Sequence, residues 1–465
     1  FSSWEEMGRN YLVGRQFWSL EETQKEGHLL EDAIDRLTER PSSPWNRYPW
    51  DLDLGGAYEL ILDPLSGTPD TLKSDVPQPF RVKSSSFDEQ VPDLSVPELP
   101  APDLSKRNTL DELKKEGPVL VVPDDYVSIQ AAVNQANEGD TIFIKAGIYD
   151  ERVEVDGKNR LRIIGQSARD VVLGVSDPNG IEVITIKKCR DIVLSDITVC
   201  DTRTKFEENK SCIGVFEGQA DIIRCRIENQ QGNGMYWYSN AHGRVLETVI
   251  ESCRGGAVLI CNKGTDVTID GCLFRENQEQ GVHIFQEATA RVQNTLLTNN
   301  SNGAYISQQG TEATFRHCVI RGSINDGMCV YNKARAHVED TVFVSNKYSG
   351  MRVIDPQSRL TCVRSKSIFN KYGAYFLTSA DIRLEECSFA WNTSYGILVS
   401  DPNTSVKIDE TWCYHNGSHG ITVNQAASVE ISGCTCSENN QGGITVGSGS
   451  TGTIRDCVVS DNSIS

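Results

Sequence analysis

Two carboxylates, Asp355 and Asp401, have a spacing in this sequence that suits an acid–base reaction. Each lies five residues after a glycine of a repeated pattern, and the two glycines are two repeats apart. If each repeat advances by about 4.8 Å, the carboxylates lie roughly 9.6 Å apart, at the upper edge of the separation found in inverting glycosidases. A proline follows each aspartate, however, and Asp-Pro is also an ordinary turn signal. We therefore assign no catalytic residue and keep this pair as a candidate.

A second group of candidates occupies the second and fourth positions after the repeated glycines. Because strand residues alternate in direction, these positions are predicted to face solvent. They are largely apolar and aromatic, and they include Val258 and Ile260. The predicted binding residues among them, here called the aromatic row, are Tyr236, Tyr238, His283, Phe285, Tyr305, Tyr331, Arg352 and Tyr375. An exposed apolar patch of this length indicates a binding surface.

The elements that must position these side chains are short repeats. A glycine that opens an apolar run recurs every 20 to 25 residues, at Gly214, Gly234, Gly256, Gly281, Gly303, Gly327, Gly350, Gly373, Gly396, Gly420 and Gly443. Apolar alternation with period two predicts strands, and units of about three short strands must stack to bury their apolar faces. The repeat therefore predicts an all-β solenoid, a right-handed parallel β-helix, in which each glycine supplies a turn with positive φ.

Asparagines recur in the same repeat, mostly four residues before the glycine. We predict that they form a buried ladder, in which each bonds its neighbours and the turn backbone. The predicted ladder contains Asn277, Asn299, Asn346, Asn392, Asn416 and Asn439, with Asn370 and Asn462 near the same phase.

All 15 cysteines lie at or after Cys189, inside the repeats. Five of them share one small, inward position of the repeat: Cys272, Cys318, Cys387, Cys434 and Cys457. Side chains stacked in one direction suit neither disulfides nor tetrahedral zinc. We expect buried thiols, no metal site and a reducing compartment.

The amino-terminal quarter is a different kind of chain. Residues 3–18 and 21–40 are predicted helices, and 13 of the 16 prolines lie between Pro41 and Pro123. Tryptophan is enriched at interface hot spots, and four of the seven tryptophans lie in the first 50 residues: Trp4, Trp18, Trp45 and Trp50. We therefore predict a docking arm over residues 1–117, bound to partner subunits or to the flank of the solenoid, and a β-helix over residues 118–465.

The stretch VVPDDYVSIQAAVNQANEGDTIFIKAGIYDERVEV, which begins at Val121, resembles the first coil of many right-handed β-helix proteins. A short helix (SIQAAVNQA) would cap the open end, and an A-G-x-Y-x-E motif follows it. Pectin methylesterases and the carbohydrate-binding and sugar-hydrolase-type (CASH) domains share this pattern. The later coils are most similar to β-helix F-box proteins and to the generic right-handed β-helix region family. The resemblance covers about residues 120–465 and implies the fold alone, because the catalytic motifs of pectin methylesterases, polygalacturonases and alginate epimerases are absent.

Composition narrows the choice of partners and compartment. A net charge of −19 argues against a nucleic-acid backbone as partner. No apolar run reaches the roughly 18 residues needed to span a membrane, and no cofactor is predicted. The chain begins at Phe1 without a signal sequence. We expect an organelle protein, plastid or mitochondrial, that has lost a transit peptide, with the cytosol as the alternative.

These features favour a non-catalytic β-helix scaffold, held among other protein subunits by its arm and its aromatic row. The alternative is a carbohydrate-active β-helix enzyme, a lyase, epimerase or hydrolase, whose substrate lies along the row. A polysaccharide-binding module would use the same tyrosines as stacking platforms. A further possibility is that the arm, or the insertion between Asp201 and Ser211, covers the row.

Overall fold

The computed structural model describes residues 93–175, 182–201, 211–229, 231–447 and 449–463. All of them belong to a compact unit that spans Arg81–Ser465. The helices predicted at 3–18 and 21–40, and the residues Trp4, Trp18, Trp45 and Trp50, lie outside the described residues. The division of the chain at residue 117 stays a prediction.

The described chain forms three parallel sheets that it visits in turn, one strand of each per coil, as a right-handed solenoid of about 14 turns. Two short helices accompany them, α1 (Leu110–Leu113) and α2 (Ile129–Gln135). Each strand pairs in register with the strand one coil before and one coil after it, so equivalent residues form files along the solenoid. The predicted fold is confirmed.

Sheet 1 contains 15 strands: β1 (Val119–Val122), β2 (Thr141–Ile144), β5 (Arg162–Gly165), β8 (Ile192–Ser195), β11 (Gln219–Ile223), β14 (His242–Leu246), β17 (Asp266–Asp270), β20 (Thr289–Gln293), β23 (Glu312–Arg316), β26 (Arg335–Glu339), β29 (Arg359–Val363), β32 (Asp381–Glu385), β35 (Ser405–Asp409), β38 (Ser428–Ser432) and β41 (Thr451–Arg455). Sheet 2 contains 14 strands: β3 (Gly147–Asp150), β6 (Val171–Val175), β9 (Thr198–Asp201), β12 (Arg226–Asn229), β15 (Val249–Glu251), β18 (Leu273–Arg275), β21 (Leu296–Thr298), β24 (Val319–Arg321), β27 (Val342–Val344), β30 (Lys366–Ile368), β33 (Ser388–Ala390), β36 (Trp412–Tyr414), β39 (Thr435–Ser437) and β42 (Val458–Ser460). Sheet 3 contains 13 strands: β4 (Val153–Asp156), β7 (Glu182–Lys187), β10 (Ser211–Phe216), β13 (Asn233–Tyr238), β16 (Val258–Cys261), β19 (Gln280–Phe285), β22 (Asn302–Ser307), β25 (Met328–Tyr331), β28 (Ser349–Val353), β31 (Tyr372–Phe376), β34 (Ile397–Val399), β37 (Ile421–Val423) and β40 (Ile444–Val446).

Helix α2 closes the amino-terminal end of the solenoid, as its sequence predicts. The Ser128 hydroxyl caps it by accepting a hydrogen bond from the Ala131 amide at 3.1 Å. Ile129, Ala132 and Val133 are buried against the first coil. The cap therefore covers core that an open solenoid end would leave in water. Among the described residues, no helix is long and apolar enough to cross a membrane.

The repeated glycines do not have the positive φ that we predicted. They are needed because successive coils approach closely at this position. A Cβ atom on Gly373 would lie 2.4 Å from the carbonyl oxygen of Gly396, and one on Gly396 would lie 2.5 Å from that of Gly420. Positive φ falls instead on turn residues such as Asn294, at 48°.

Two of the eleven glycines are also out of phase with the rest. Gly214 pairs with Tyr236 rather than with Gly234. In the coil of Gly256 the register pairs Met235 with Val258, so Ala257 occupies the glycine position. Counting from Gly256 therefore misplaces the side chains of that coil by one residue.

The asparagine ladder is confirmed, with one residue corrected. The Asn392 side-chain amide donates to the Ser367 carbonyl at 3.1 Å and to Asn416 Oδ1 at 3.0 Å. The same two-way bonding links Asn370, Asn392, Asn416, Asn439 and Asn462 in successive coils. In the coil where we predicted Asn299, it is Asn300 that is buried and accepts from Asn277 at 2.9 Å. Asn299 instead adopts a φ of 56° at the strand end.

The interior of the solenoid is one continuous apolar core. All 15 cysteines lie among the described residues and none forms a disulfide, and all but Cys200 and Cys457 are buried. Burial raises the thiol pKa of several of them, for example to about 12 for Cys225. A buried thiol that stays protonated behaves as a small apolar residue.

A proline-rich segment, Asp93–Asn108, contacts the solenoid at both of its ends and contains no helix or strand. Near its start, Lys366 Nζ donates to the Ser95 carbonyl at 3.0 Å. Near its end, the Asn108 amide donates to the Gln166 carbonyl at 2.8 Å, and Arg107 lies 2.7 Å from the Asp170 carboxylate. Gln166 and Lys366 belong to coils that are far apart along the solenoid. We call this segment the strap.

Candidate functional site

The aromatic row lies on the outer face of sheet 3, and many of its rings touch. Ring centroids are 4.7 Å apart for Tyr236 and Tyr238, 4.4 Å for His283 and Phe285, and 4.9 Å for Tyr305 and Tyr331. His283 and Tyr305 connect two coils with an edge contact at 5.1 Å. The row is therefore a file of rings along the solenoid axis rather than a scatter of surface residues.

The row is half-buried rather than openly exposed as we predicted. All eight of its side chains keep partial contact with solvent, and none is among the strongly exposed apolar residues. Contacts between coils, such as those of Tyr305 with His283 and with Tyr331, cover part of the ring surface. Val258 and Ile260 do not belong to this face and are fully buried in the core, because the glycine of their coil is out of phase. Leu259 takes their place between Tyr236 and His283.

A second file of rings, which the sequence analysis missed, borders the row where the asparagine turn enters sheet 3. The centroids of Tyr372 and Tyr395 are 6.0 Å apart with nearly parallel rings, and Tyr395 and His419 follow at 5.8 Å. Tyr348 contacts Tyr372 at 5.3 Å. Three of these four residues directly precede a repeated glycine, and that recurrence was the available signal. Tyr372 joins this turn-edge file to the row through Tyr375 at 5.3 Å.

Arg352 brings a positive charge between the two files. Its guanidinium carbon lies 5.6 Å from the ring centre of Tyr348 and 5.8 Å from that of Tyr375, within cation–π range. One guanidinium nitrogen lies 3.6 Å from the Asp326 carboxylate. The buried Nε atom has no hydrogen-bond partner among the described residues.

Asp326 is the buried carboxylate of this face. Burial raises its pKa, and this effect outweighs the opposing influence of the Arg352 charge and of the Ser349 amide. Asp326 Oδ1 accepts from that amide at 3.0 Å. The sequence alone does not reveal this residue, because it precedes a glycine inside a turn and shows no motif. A carboxyl group whose pKa is raised by burial is a candidate proton-holding group, although the nearby Arg352 charge acts in the opposite direction.

His283 is held in its neutral form. Burial lowers the pKa of its imidazole to about 3. Its Nε2 lies 3.4 Å from the Ser307 hydroxyl, and its ring stacks on Phe285. At neutral pH this side chain therefore acts as a polar ring and not as a cation.

Asp355 and Asp401 lie where the strands of sheet 3 end, one in the coil of Arg352 and the other two coils later. Their φ angles are 77° and 72°, a conformation typical of turn residues. The Thr378 hydroxyl donates to Asp401 Oδ2 at 3.1 Å. A turn role explains both residues, and their use as a catalytic pair stays a prediction.

Among the described residues, no group of three or more His, Cys, Asp or Glu side chains is arranged to hold a metal ion. One surface depression, of about 410 Å³, borders the amino-terminal strands β4 and β7 of sheet 3. Another, of about 500 Å³, is lined by residues that include Lys407 and Asp409 of sheet 1.

Known proteins share this architecture. A family model described as right handed beta helix region matches residues 211–366 and 353–465. A second, described as a protein of unknown function (DUF1266), matches residues 1–50. No curated protein matches the sequence.

Solved structures with similar folds have low sequence identity to this chain. The catalytic domain of a GH87 alpha-1,3-glucanase, in complex with tetrasaccharides, superimposes with a TM-score of 0.50 at 10% identity, over 73% of this chain and 69% of that one. The A-module of the Azotobacter vinelandii mannuronan C-5 epimerase AlgE6 has a TM-score of 0.41 at 15% identity, over 73% and 98%. The periplasmic alginate epimerase AlgG has a TM-score of 0.41 at 14% identity, over 74% and 86%.

The predicted non-catalytic scaffold is wrong when set against these structures, which are carbohydrate-active β-helix enzymes. At such identities they establish the fold, and the chemistry of this chain must be argued from its own residues. The described coils, their files of equivalent residues and the family match over more than half of the chain agree, and the chain belongs to the right-handed β-helix region family.

Proposed function

We propose that this β-helix is a carbohydrate-active protein that binds a polysaccharide along the outer face of sheet 3. The observation that carries the proposal is the file of half-exposed rings that follows the solenoid axis. Amphipathic tyrosine rings offer an apolar face to the C–H side of a sugar and a hydroxyl to its polar groups. A linear polymer of sugars fits a linear file of rings.

The spacing of the coils supports a chain-like ligand. Successive coils place equivalent side chains about 4.8 Å apart, and one sugar unit advances a polysaccharide by a similar distance. The aromatic row and the turn-edge file converge at Arg352, Tyr372 and Tyr375. A sugar chain lying along the row would therefore reach its most polar contacts there.

We further propose that any turnover takes place at this convergence, with Asp326 as the proton-holding group. A general acid must keep its proton near neutral pH, and burial pushes the pKa of Asp326 in that direction. The pair Asp355 and Asp401 is the competing assignment, because an inverting mechanism needs two carboxylates on opposite sides of a water. Whether the reaction is hydrolysis or elimination at a glycosidic bond, or epimerisation of a sugar carbon, depends on which second catalytic group acts with Asp326.

Binding is tested with the full chain on a panel of immobilised polysaccharides: an α-glucan, alginate and polygalacturonate. We expect retention on at least one of them, and loss of retention, by tenfold or more in Kd, for the triple variant Y305S/Y331S/Y375S. These rings lie outside the core, so the melting temperature should change little. The double variant F369S/W391S removes two rings at the turn beyond sheet 2 and should bind as wild type does. Equal losses in both variants would contradict the assignment of the row.

Turnover is tested by the release of reducing ends, of unsaturated ends or of C-5 protons from the retained polymer. We expect D326N to abolish turnover and to leave retention unchanged. If D355N or D401N abolishes turnover while D326N does not, the carboxylate pair is the catalytic one. A wild-type chain retained by no polysaccharide of any charge would refute the proposed function as a whole.

A further inference from the structure

The outer face of sheet 2 carries apolar side chains that are buried although they point away from the core. In the three-residue strands of this sheet the middle residue points inward, as Phe343 does, and its two neighbours point outward. Val342 and Val344 are nevertheless only 3% and 1% exposed, and Val319 and Ile368 are equally buried. None of these four belongs to the main core. We call them the sheet 2 strip.

A later internal strand of the same sheet shows what outward positions look like without this cover. In β39 the outward Thr435 and Ser437 are half-buried, whereas the inward Cys436 between them is fully buried. The strip therefore has a cover that β39 lacks. The strap is anchored at Lys366, in the strand that contains Ile368.

The strap has the side chains and the length to be that cover. The polar residues of the strap up to Leu104 are exposed, whereas five of its apolar residues are partly buried. These five are Leu94, Val96, Leu99, Pro102 and Leu104. From β6 to β30, sheet 2 advances by eight coils, or roughly 38 Å at 4.8 Å per coil. The 13 residue-to-residue steps from Ser95 to Asn108 span about 40 Å in a polyproline conformation. The two lengths match.

The anchors at the two ends are polar and specific. The Asn108 side chain donates to the Gly165 carbonyl at 2.8 Å and to the buried Asp196 carboxylate at 3.0 Å. The Asp93 carboxylate lies 3.6 Å from Lys366 Nζ. Polar anchors at both ends fix the direction of a chain that has no backbone pairing of its own.

We propose that the sheet 2 strip is a binding track for an extended, proline-rich chain, and that Asp93–Asn108 is its resident occupant. The prolines hold the chain extended before it binds, which lowers the entropy cost of laying it along the face. Alternate apolar side chains then cover the strip. This inference is independent of the polysaccharide proposal, because the strap and the aromatic row lie on different sheets.

The test uses the full chain with the substitutions L99S/L104S, which weaken the strap without touching its anchors. Hydroxyl-radical footprinting reports the accessibility of Val342, Val344 and Ile368 side chains, and limited proteolysis reports the strap. We expect oxidation of the strip to rise several-fold and cleavage within residues 93–108 to accelerate by tenfold or more. The matched control L377S/L398S changes two half-buried leucines, one directly after β31 and one in β34 of sheet 3, and should leave both readouts as in wild type.

A synthetic peptide of residues 93–108 tests whether the strip binds a separate proline-rich chain or is only covered by the strap of its own chain. Added to the L99S/L104S chain, it should restore protection of the strip in proportion to its concentration. A peptide that fails to do so at millimolar concentration would overturn the track. Strong oxidation of the strip in the wild-type chain would overturn the whole inference. Protection of the variant that rises with protein concentration alone would assign the strip to a second copy, which would also contradict it.

Discussion

The outer faces of sheets 2 and 3 lie on the same coils and use apolar side chains in opposite ways. Sheet 2 carries small aliphatic residues that are almost wholly buried, and the strap is anchored beside them. Sheet 3 carries large rings that remain half-exposed and lie around Arg352 and its neighbour Asp326. A permanent contact needs only apolar area, whereas an exchangeable ligand needs rings that tolerate water and polar groups that give direction. The comparison distinguishes a face that stabilises from a face that binds.

The largest expected effect falls on the asparagine turn that separates the two faces. Asn392→Leu removes the donor to the Ser367 carbonyl and the acceptor for the Asn370 amide. Each backbone group left unpaired in the interior costs about 1–3 kcal/mol, so we expect a loss of roughly 3–6 kcal/mol in the free energy of unfolding. Denaturant unfolding followed by circular dichroism measures it. Asn440→Leu, at an exposed turn position, should cost far less, and a similar loss in both variants would argue against the ladder as a support.

The next effect compares the two faces directly. Val342→Ser removes a fully covered apolar side chain from sheet 2 and should cost about 1.5–3 kcal/mol of stability. Leu398→Ser removes a larger but half-exposed side chain from sheet 3. It should cost less than about 1 kcal/mol of stability, because the leucine already contacts water in the folded protein. The same unfolding experiment decides. If the leucine variant is the less stable one, the distinction between the two faces fails.

The smallest effect is a pH dependence of the binding face. The pKa of His283 is about 3 in the folded protein and about 6.5 in the unfolded chain. As the pH falls below 6.5 the unfolded state takes up a proton that the folded state refuses, so stability is lost progressively down to about pH 3.

The partial exposure of the His283 ring reduces this contribution to the order of 1 kcal/mol between pH 7 and pH 4. Thermal melts at both pH values should show a smaller acid loss for His283→Phe than for wild type. His242→Phe, on an exposed position of sheet 1, is the control. An unchanged acid loss in His283→Phe would mean that the ring is solvated.

The sequence predicted the coils well because several independent features of the repeat indicate the same strand and turn positions. Glycine, asparagine and alternating apolar residues recur at one interval, so an error in a single coil does not alter the fold. The errors are local for the same reason. Gly256 fits the motif but stands one residue early, and Asn299 and Asn300 are adjacent, so that only packing decides which one enters the ladder.

The candidate site was predicted less completely than the fold. The row followed from counting positions after each glycine, which found Tyr305, Tyr331 and Tyr375. Counting forward missed Asp326 and Tyr395, which lie before the glycine on the turn. The raised pKa of Asp326 arises from burial, against the opposing charge of Arg352, which is 26 positions away in sequence and one coil away in space. No local motif carries that information.

The fixed length of the strap limits how many coils the solenoid can have between its two anchors. Solenoids commonly gain and lose coils by duplication, since each coil contacts only its neighbours. Between β6 and β30 the strap prevents the gain of coils, because its two ends are anchored to the solenoid. Two added coils would stretch the distance to roughly 48 Å, beyond the approximately 45 Å that the 13 steps from Ser95 to Asn108 reach when fully extended. Related chains that keep both anchors are therefore expected to vary in coil number after Lys366, or to lengthen the strap in step with the coils that it crosses.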